Sequence, residues 1–204
     1  MYNGRKSEDY KMVARKCREA GFSEGRVYVL CMLLCESYRE KYLNALADDE
    51  IKEMTPEAIE ASKRECRDLF LYLFTKPAEE NIDEQKELID KLIKLIWFRG
   101  KIDYILDKVL DFKGNGNGYV YKMLVKLSYF DEEYRTNKDI YTKLDVCKTD
   151  FYPKRDIGVI LFGISMWIYA LRRQKEDMEA GIIPYKELPK PQENLKDLPP
   201  IDEL

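Results

Sequence analysis

Apolar residues recur three and four positions apart along most of the chain, and no stretch sustains the alternation of apolar and polar residues that a half-buried strand requires. An all-α fold follows. With 45% hydrophobic and 36% charged residues over 204 positions, the helices have enough apolar surface to form a core, and the composition lies outside the disordered class. Ser7 is placed to cap a first helix that reaches Ala20, with Gly21 just past its end, and Ser23 opens a second that reaches about Ala47. Thr55-Pro56-Glu57-Ala58 starts a third, with proline in the first turn where its missing N–H costs nothing, and that helix stops before Lys76-Pro77. A fourth starts near Asp83 and is expected to carry Leu88, Leu92, Leu95, Ile96, Ile102, Ile105, Leu106, Val109 and Leu110 on one wide face, with a kink at Gly100.

The stretch Gly114-Asn115-Gly116-Asn117-Gly118 stops that helix. It lacks the Gly-Lys-Ser/Thr of a phosphate-cradling loop, since Gly118 is followed by Tyr119-Val120, so it reads as a connector between domains. The expected organisation is a helical N-terminal bundle over 1–113, a second helical domain over 119–181 and a proline-rich acidic tail over 182–204. In the second domain a helix reaches Phe130, a short one runs from Asn137 to Leu144, and a long one reaches Ala180. The tail is expected to be extended, and serves either as a docking peptide or as an inert terminus.

Several functional classes are excluded at once. Histidine is absent, which removes serine-histidine and cysteine-histidine catalysis, histidine-held metals and the Glu-x-x-His signature of helical di-iron sites. Carboxylate pairs such as Asp48-Asp49-Glu50, Glu57/Glu60 and Glu79-Glu80 sit beside lysines on polar faces rather than in the apolar surroundings that split the pKa values of an acid-base pair. The five cysteines form no Cys-x-x-Cys pair, and reduced thiols are expected. Cys31 and Cys35 share a helix face and could in principle meet a soft metal ion, but their apolar neighbours favour a core role. Neither a cofactor nor an enzymatic activity is expected. No apolar run is long enough to span a membrane or follows the first residues as a leader, so no membrane partner and a cytoplasmic location are expected. Fifteen tyrosines, many in the C-terminal half, read chiefly as packing residues with a polar tip, and alternatively as interface anchors.

The net charge of −3 gives the whole chain no general attraction for nucleic acid, yet residues 138–173 carry a local surplus of three positive charges. Within that stretch Thr136 to Tyr152 has the build of a helix-turn-helix: a short capped helix with Ile140 and Leu144, a turn through Asp145-Val146, then a second helix whose first turns carry Lys148, Thr149 and Tyr152. That second helix either starts near Lys148 or starts only near Pro153 with Thr149 or Asp150 as cap.

From about 119 to 170 the chain resembles the ArpU-type phage regulators and related proteins with a helix-turn-helix like region 4 of sigma-70 factors. The matching residues are Ile140, Leu144, Val146, the run Cys147-Lys148-Thr149-Asp150-Phe151-Tyr152, Lys154-Arg155, and the apolar stretch from Ile157 to Trp167. Pro153 and Tyr141 depart from the pattern, standing where the family has a basic and a small residue. The resemblance implies a DNA-binding transcriptional regulator of phage or mobile-element origin. Lys148, Thr149 and Tyr152 would face base edges, and Lys138, Lys143, Lys154 and Arg155 would lie against the phosphates of double-stranded DNA. One weakly basic motif makes few phosphate contacts, so the N-terminal part would form a homodimer or dock on RNA polymerase. The competing reading is an inhibitor or adaptor that keeps the helix-turn-helix shape and binds another protein.

Overall fold

Side-chain caps set the helix starts in a computed structural model that describes residues 7–43, 55–75, 82–111, 117–186 and 188. Ser7 accepts a hydrogen bond from the Tyr10 amide at 3.2 Å, and Ser23 accepts one from the Arg26 amide at 3.2 Å. They open α1 (Glu8–Glu19) and α2 (Glu24–Ser37), and Gly21 closes α1 at φ +85°. The second helix continues as a π-helical turn over Tyr38–Leu43. Thr55 caps α3 (Pro56–Thr75) through the Ala58 amide. The remaining helices are α4 (Ile82–Lys94), α5 (Ile96–Val109), α6 (Gly118–Val125, followed by a π-helical turn over Lys126–Phe130), α7 (Asn137–Lys143) and α8 (Lys148–Glu179). The protein is all-α, with no strand among the described residues and no helix among them long and apolar enough to cross a membrane.

The single helix expected from Asp83 is in fact two. It breaks at Leu95, which is extended at φ −69° and ψ 119°, and not at Gly100. At about 100° per residue, buried Ile89, Leu92 and Ile93 would lie roughly 150° around a continuous helix from buried Phe98, Ile102, Ile105, Leu106 and Val109. The break at Leu95 turns both sets onto one core.

That core does not stop at the expected domain boundary. Helix α8 is enclosed on all sides from Ile157 to Trp167, and one apolar cluster joins its residues to Val13, Val27, Phe70, Leu92 and Leu106 of the first five helices. Trp167 meets Phe22 edge-on at 5.0 Å and tilts against Phe74 at 5.8 Å. Gly158 and Gly163 permit this packing: a Cβ on the first would strike the Tyr121 carbonyl oxygen and Val125 of α6, and on the second Cys31 and Val27 of α2. Polar links also span the connector. Tyr121 donates its hydroxyl hydrogen to the buried Asp9 carboxylate, and Asn117 donates to the same carboxylate at 3.0 Å. Arg67 of α3 pairs with Asp177 of α8 in the interior. Residues 1–113 and 119–181 therefore share one core. Gly114, Asn115, Gly116, Asp48-Asp49-Glu50, Glu79-Glu80 and most of the expected tail lie outside the described residues.

Cys31 and Cys35, expected in the core, are there, and two more cysteines join them. Cys17, Cys31, Cys35 and Cys66 are buried, and burial pushes the Cys17 thiol up to about 12 and the other three upward as well. Among the described residues, no three potential ligands gather in a way that would hold a metal ion. The Glu57 and Glu60 carboxylates are held below their usual range, Glu57 by its own backbone amide and Thr55, and Glu60 by Lys63, as on a polar helix face.

Candidate nucleic-acid interface

A second, smaller apolar cluster sits beside the main core. Leu124 of α6, Leu127 of its π-helical turn, Ile140 of α7, Val146 of the following turn and Phe151 of α8 are all buried against one another. Three helical segments thus surround five side chains, which is the arrangement a helix-turn-helix needs to hold α7 and α8 at a fixed angle. Thr136 starts α7 with a reciprocal cap: its hydroxyl accepts from the Asp139 amide at 3.2 Å, while Asp139 accepts from the Thr136 amide at 3.0 Å. Bonds from Thr136 hold the Asp139 carboxyl below its usual range.

The turn is a left-handed cap. Asp145 takes φ +52°, its amide donates to the Thr142 carbonyl at 3.3 Å, and the Val146 amide donates back to Tyr141 at 2.9 Å. Glycine normally holds this position, and aspartate is one of the few other residues that adopt it at modest cost. Val146 is thereby turned into the small cluster, where Tyr141 meets Phe151 edge-on at 5.9 Å.

The open choice for α8 resolves to the earlier start. The helix begins at Lys148, with Cys147 in the cap position and no side-chain cap bond, and Pro153 lies inside it. Thr149 and Asp150 are helical residues, not caps. Proline at 153 removes the amide that would bond the Thr149 carbonyl, so that carbonyl stays open to solvent or a ligand in the second exposed turn.

Five of the seven expected contact residues stand exposed around this corner: Lys138 and Lys143 on α7, and Lys148, Thr149 and Tyr152 on α8. Asn137 braces Tyr152, donating to its phenol oxygen at 3.3 Å across the two helices. Lys154 is half-buried and pairs with Asp150 at 3.3 Å, an ion pair weak enough to exchange for a phosphate.

Arg155 departs from the expectation. Its side chain is 15% exposed, it reaches Asp156 at 3.4 Å, and its guanidinium lies 5.1 Å from the Tyr152 ring centroid, 5.7 Å from Phe151 and 5.8 Å from Tyr129. Cation–π contact and the half-buried Asp156 carboxylate turn it inward, so it braces the start of α8 rather than standing out beside the exposed lysines. Burial raises the Asp156 carboxyl above its ordinary value, against the opposing pull of Arg155 and of the Tyr28 hydroxyl.

Sequence patterns placed Asn137 at a helix start and Asp145 in the turn, but assigned neither its role at the corner. Asp145 carried a signal, since aspartate between two helices tolerates positive φ; Asn137 carried none, because its partner is set only by the crossing of α7 and α8. Set against known proteins, the chain matches no family model, no curated protein and no solved structure.

Proposed function

We propose that the chain is a DNA-binding transcriptional regulator of the sigma-region-4-like helix-turn-helix kind. The observation that carries this reading is the corner built on its own apolar cluster, which exposes Lys138, Lys143, Lys148, Thr149 and Tyr152 together. The first two turns of α8 enter the major groove, with Lys148, Thr149 and Tyr152 near base edges and Lys138, Lys143 and, in exchange for Asp150, Lys154 on flanking phosphates. The contact is weak by design of its charges, because exposed Asp139, Asp145 and Asp150 equal the three phosphate-facing lysines in number. A second copy or RNA polymerase supplies the rest of the affinity.

Three phosphate contacts set the expected salt response. The logarithm of the binding constant should fall with a slope of about −2.7 against the logarithm of salt, or roughly 40-fold between about 50 and 200 mM. A mobility shift with duplex DNA at the two concentrations measures it, and a Lys143→Glu, Lys148→Glu double variant should abolish the shift. Binding that is flat with salt, or unchanged in that variant, would sink the proposal. The charge balance at the corner and the inward Arg155 favour, as a second reading, a protein-binding adaptor with the same surface; a nuclease-resistant partner in a pull-down, with no shift at the lower salt, would select it.

A further inference from the structure

Away from the corner, helices α3, α5 and α8 enclose a cleft of about 250 Å³. Its charged lining consists of Lys63, Lys101, Arg172 and Arg173 together with Glu176. Two carboxylates answer these four cations: Glu176 lies 3.0 Å from Arg172 and 3.2 Å from Arg173, and Glu60 lies 3.1 Å from Arg173 and pairs with Lys63. Asp177, 3.5 Å from Arg173, shares the Arg67 guanidinium with Asp68, so with Arg67 and its two carboxylates counted the cleft keeps one unbalanced positive charge. Lys101 has no carboxylate in reach among the described residues, and its ammonium and that of Lys63 rest 4.3 and 4.5 Å from the Trp97 ring centroid.

An apolar cleft of about 190 Å³ adjoins the first and shares Tyr104, Tyr169 and Arg172 with it. Ile168 and Tyr104 line it and present apolar surface to solvent, where a flat ring could lie against them. The two tyrosine rings meet at 6.4 Å and 69°, and Trp97 fixes the Tyr169 ring by donating to its oxygen at 2.7 Å. Each cleft alone is smaller than the usual small-molecule site of about 300–1,000 Å³, but the two together fall inside that range.

We propose that this two-part cleft binds a small molecule made of a flat aromatic ring and a phosphate monoester, the chemical class of mononucleotides. The phosphate sits among Lys63, Lys101, Arg172 and Arg173, and the ring lies against Tyr104, Tyr169 and Ile168. The three oxygens of a phosphate monoester can accept from the guanidinium forks of Arg172 and Arg173 and from both ammoniums at once, more donors than the two oxygens of a carboxylate would use.

Titration of the full chain with adenosine 5′-monophosphate, followed by calorimetry and tryptophan emission, tests the assignment. Trp97 lines the cleft while the second tryptophan, Trp167, is buried in the core, so emission reports the site. Saturable one-to-one binding at about 1 mM or tighter is expected, with adenosine and inorganic phosphate each at least about tenfold weaker. Lys101→Ala and Arg172→Ala should each weaken binding about tenfold with the helical circular dichroism unchanged, and Lys11→Ala, on α1 and lining neither cleft, should leave it intact. No saturation by about 5 mM, adenosine binding as well as its monophosphate, or undiminished binding by Lys101→Ala would overturn the proposal.

Discussion

Asp156 lies under Arg155 at the point where α8 leaves the surface, and burial raises its carboxyl above the ordinary value. An acid whose folded pKa is raised binds its proton more tightly when folded, so ionising it costs stability. The penalty is absent below the unfolded value of about 3.9 and is complete once the pH exceeds the folded one. Asp156→Asn has no such titration. Relative to this variant, wild type should therefore lose stability as the pH rises from about 4 to 7, whatever constant offset the amide introduces, and urea unfolding across that range reads the change. A gap that widens in the opposite direction would mean that Arg155 outweighs burial. Cys147 offers a second handle at the same scale. It is the exposed cysteine of the five, at the start of α8, while burial keeps the other four thiols protonated. A bulky maleimide should add once per native chain by mass spectrometry and abolish the DNA shift. Cys147→Ser should bind DNA and resist the reagent.

Helix α8 passes α2 and α6 so closely that only glycine fits at two of its positions. A methyl group at Gly163 would meet the Cys31 sulfur and a Val27 methyl. Gly163→Ala should therefore cost about 1–3 kcal/mol of stability, as overpacking does. Cys31→Ala deletes the sulfur at the contact, so the double variant should be less destabilised than the two single changes added together, by about 1 kcal/mol, in urea unfolding. Additive losses would place the strain elsewhere. Most helix ends were legible because their chemistry is local: Ser7, Ser23, Thr55 and Thr136 each cap within three residues, and Gly21 closes α1. The break at Leu95 was not, because leucine carries no breaking signal; only the mismatch between the apolar faces on either side betrays it. The inward turn of Arg155 was equally hidden, since it depends on Tyr129, which reaches it only through the π-helical turn after α6.

At the scale of the whole molecule, the glycine-asparagine connector suggested two domains and the packing makes one. The run from Ile157 to Trp167 held the clue: a helix with no polar face must be covered on every side, and the small cluster around Ile140 covers only its first turns. The cationic cleft was illegible for a different reason, as Lys63, Lys101 and Arg172 come from three helices far apart in the chain. The shared core has a direct consequence for truncation. Cut at the connector, the C-terminal piece would expose Ile157, Val159, Ile160, Leu161, Phe162, Ile164, Met166 and Trp167, all of which belong to the main cluster. Each buried side chain of this size contributes about 1.5–3 kcal/mol, so losing even half of them removes about 6–12 kcal/mol, as much as the roughly 5–15 kcal/mol by which a whole domain is stable. The five residues of the small cluster cannot offset that. Fragments 1–113 and 114–204 should each lack a cooperative thermal transition alone, and refolding them together from denaturant should restore a helical complex that melts as one unit. A fragment 114–204 that melts cooperatively by itself would show that the corner folds as an independent unit and that its burial against α2, α3 and α5 is docking rather than core.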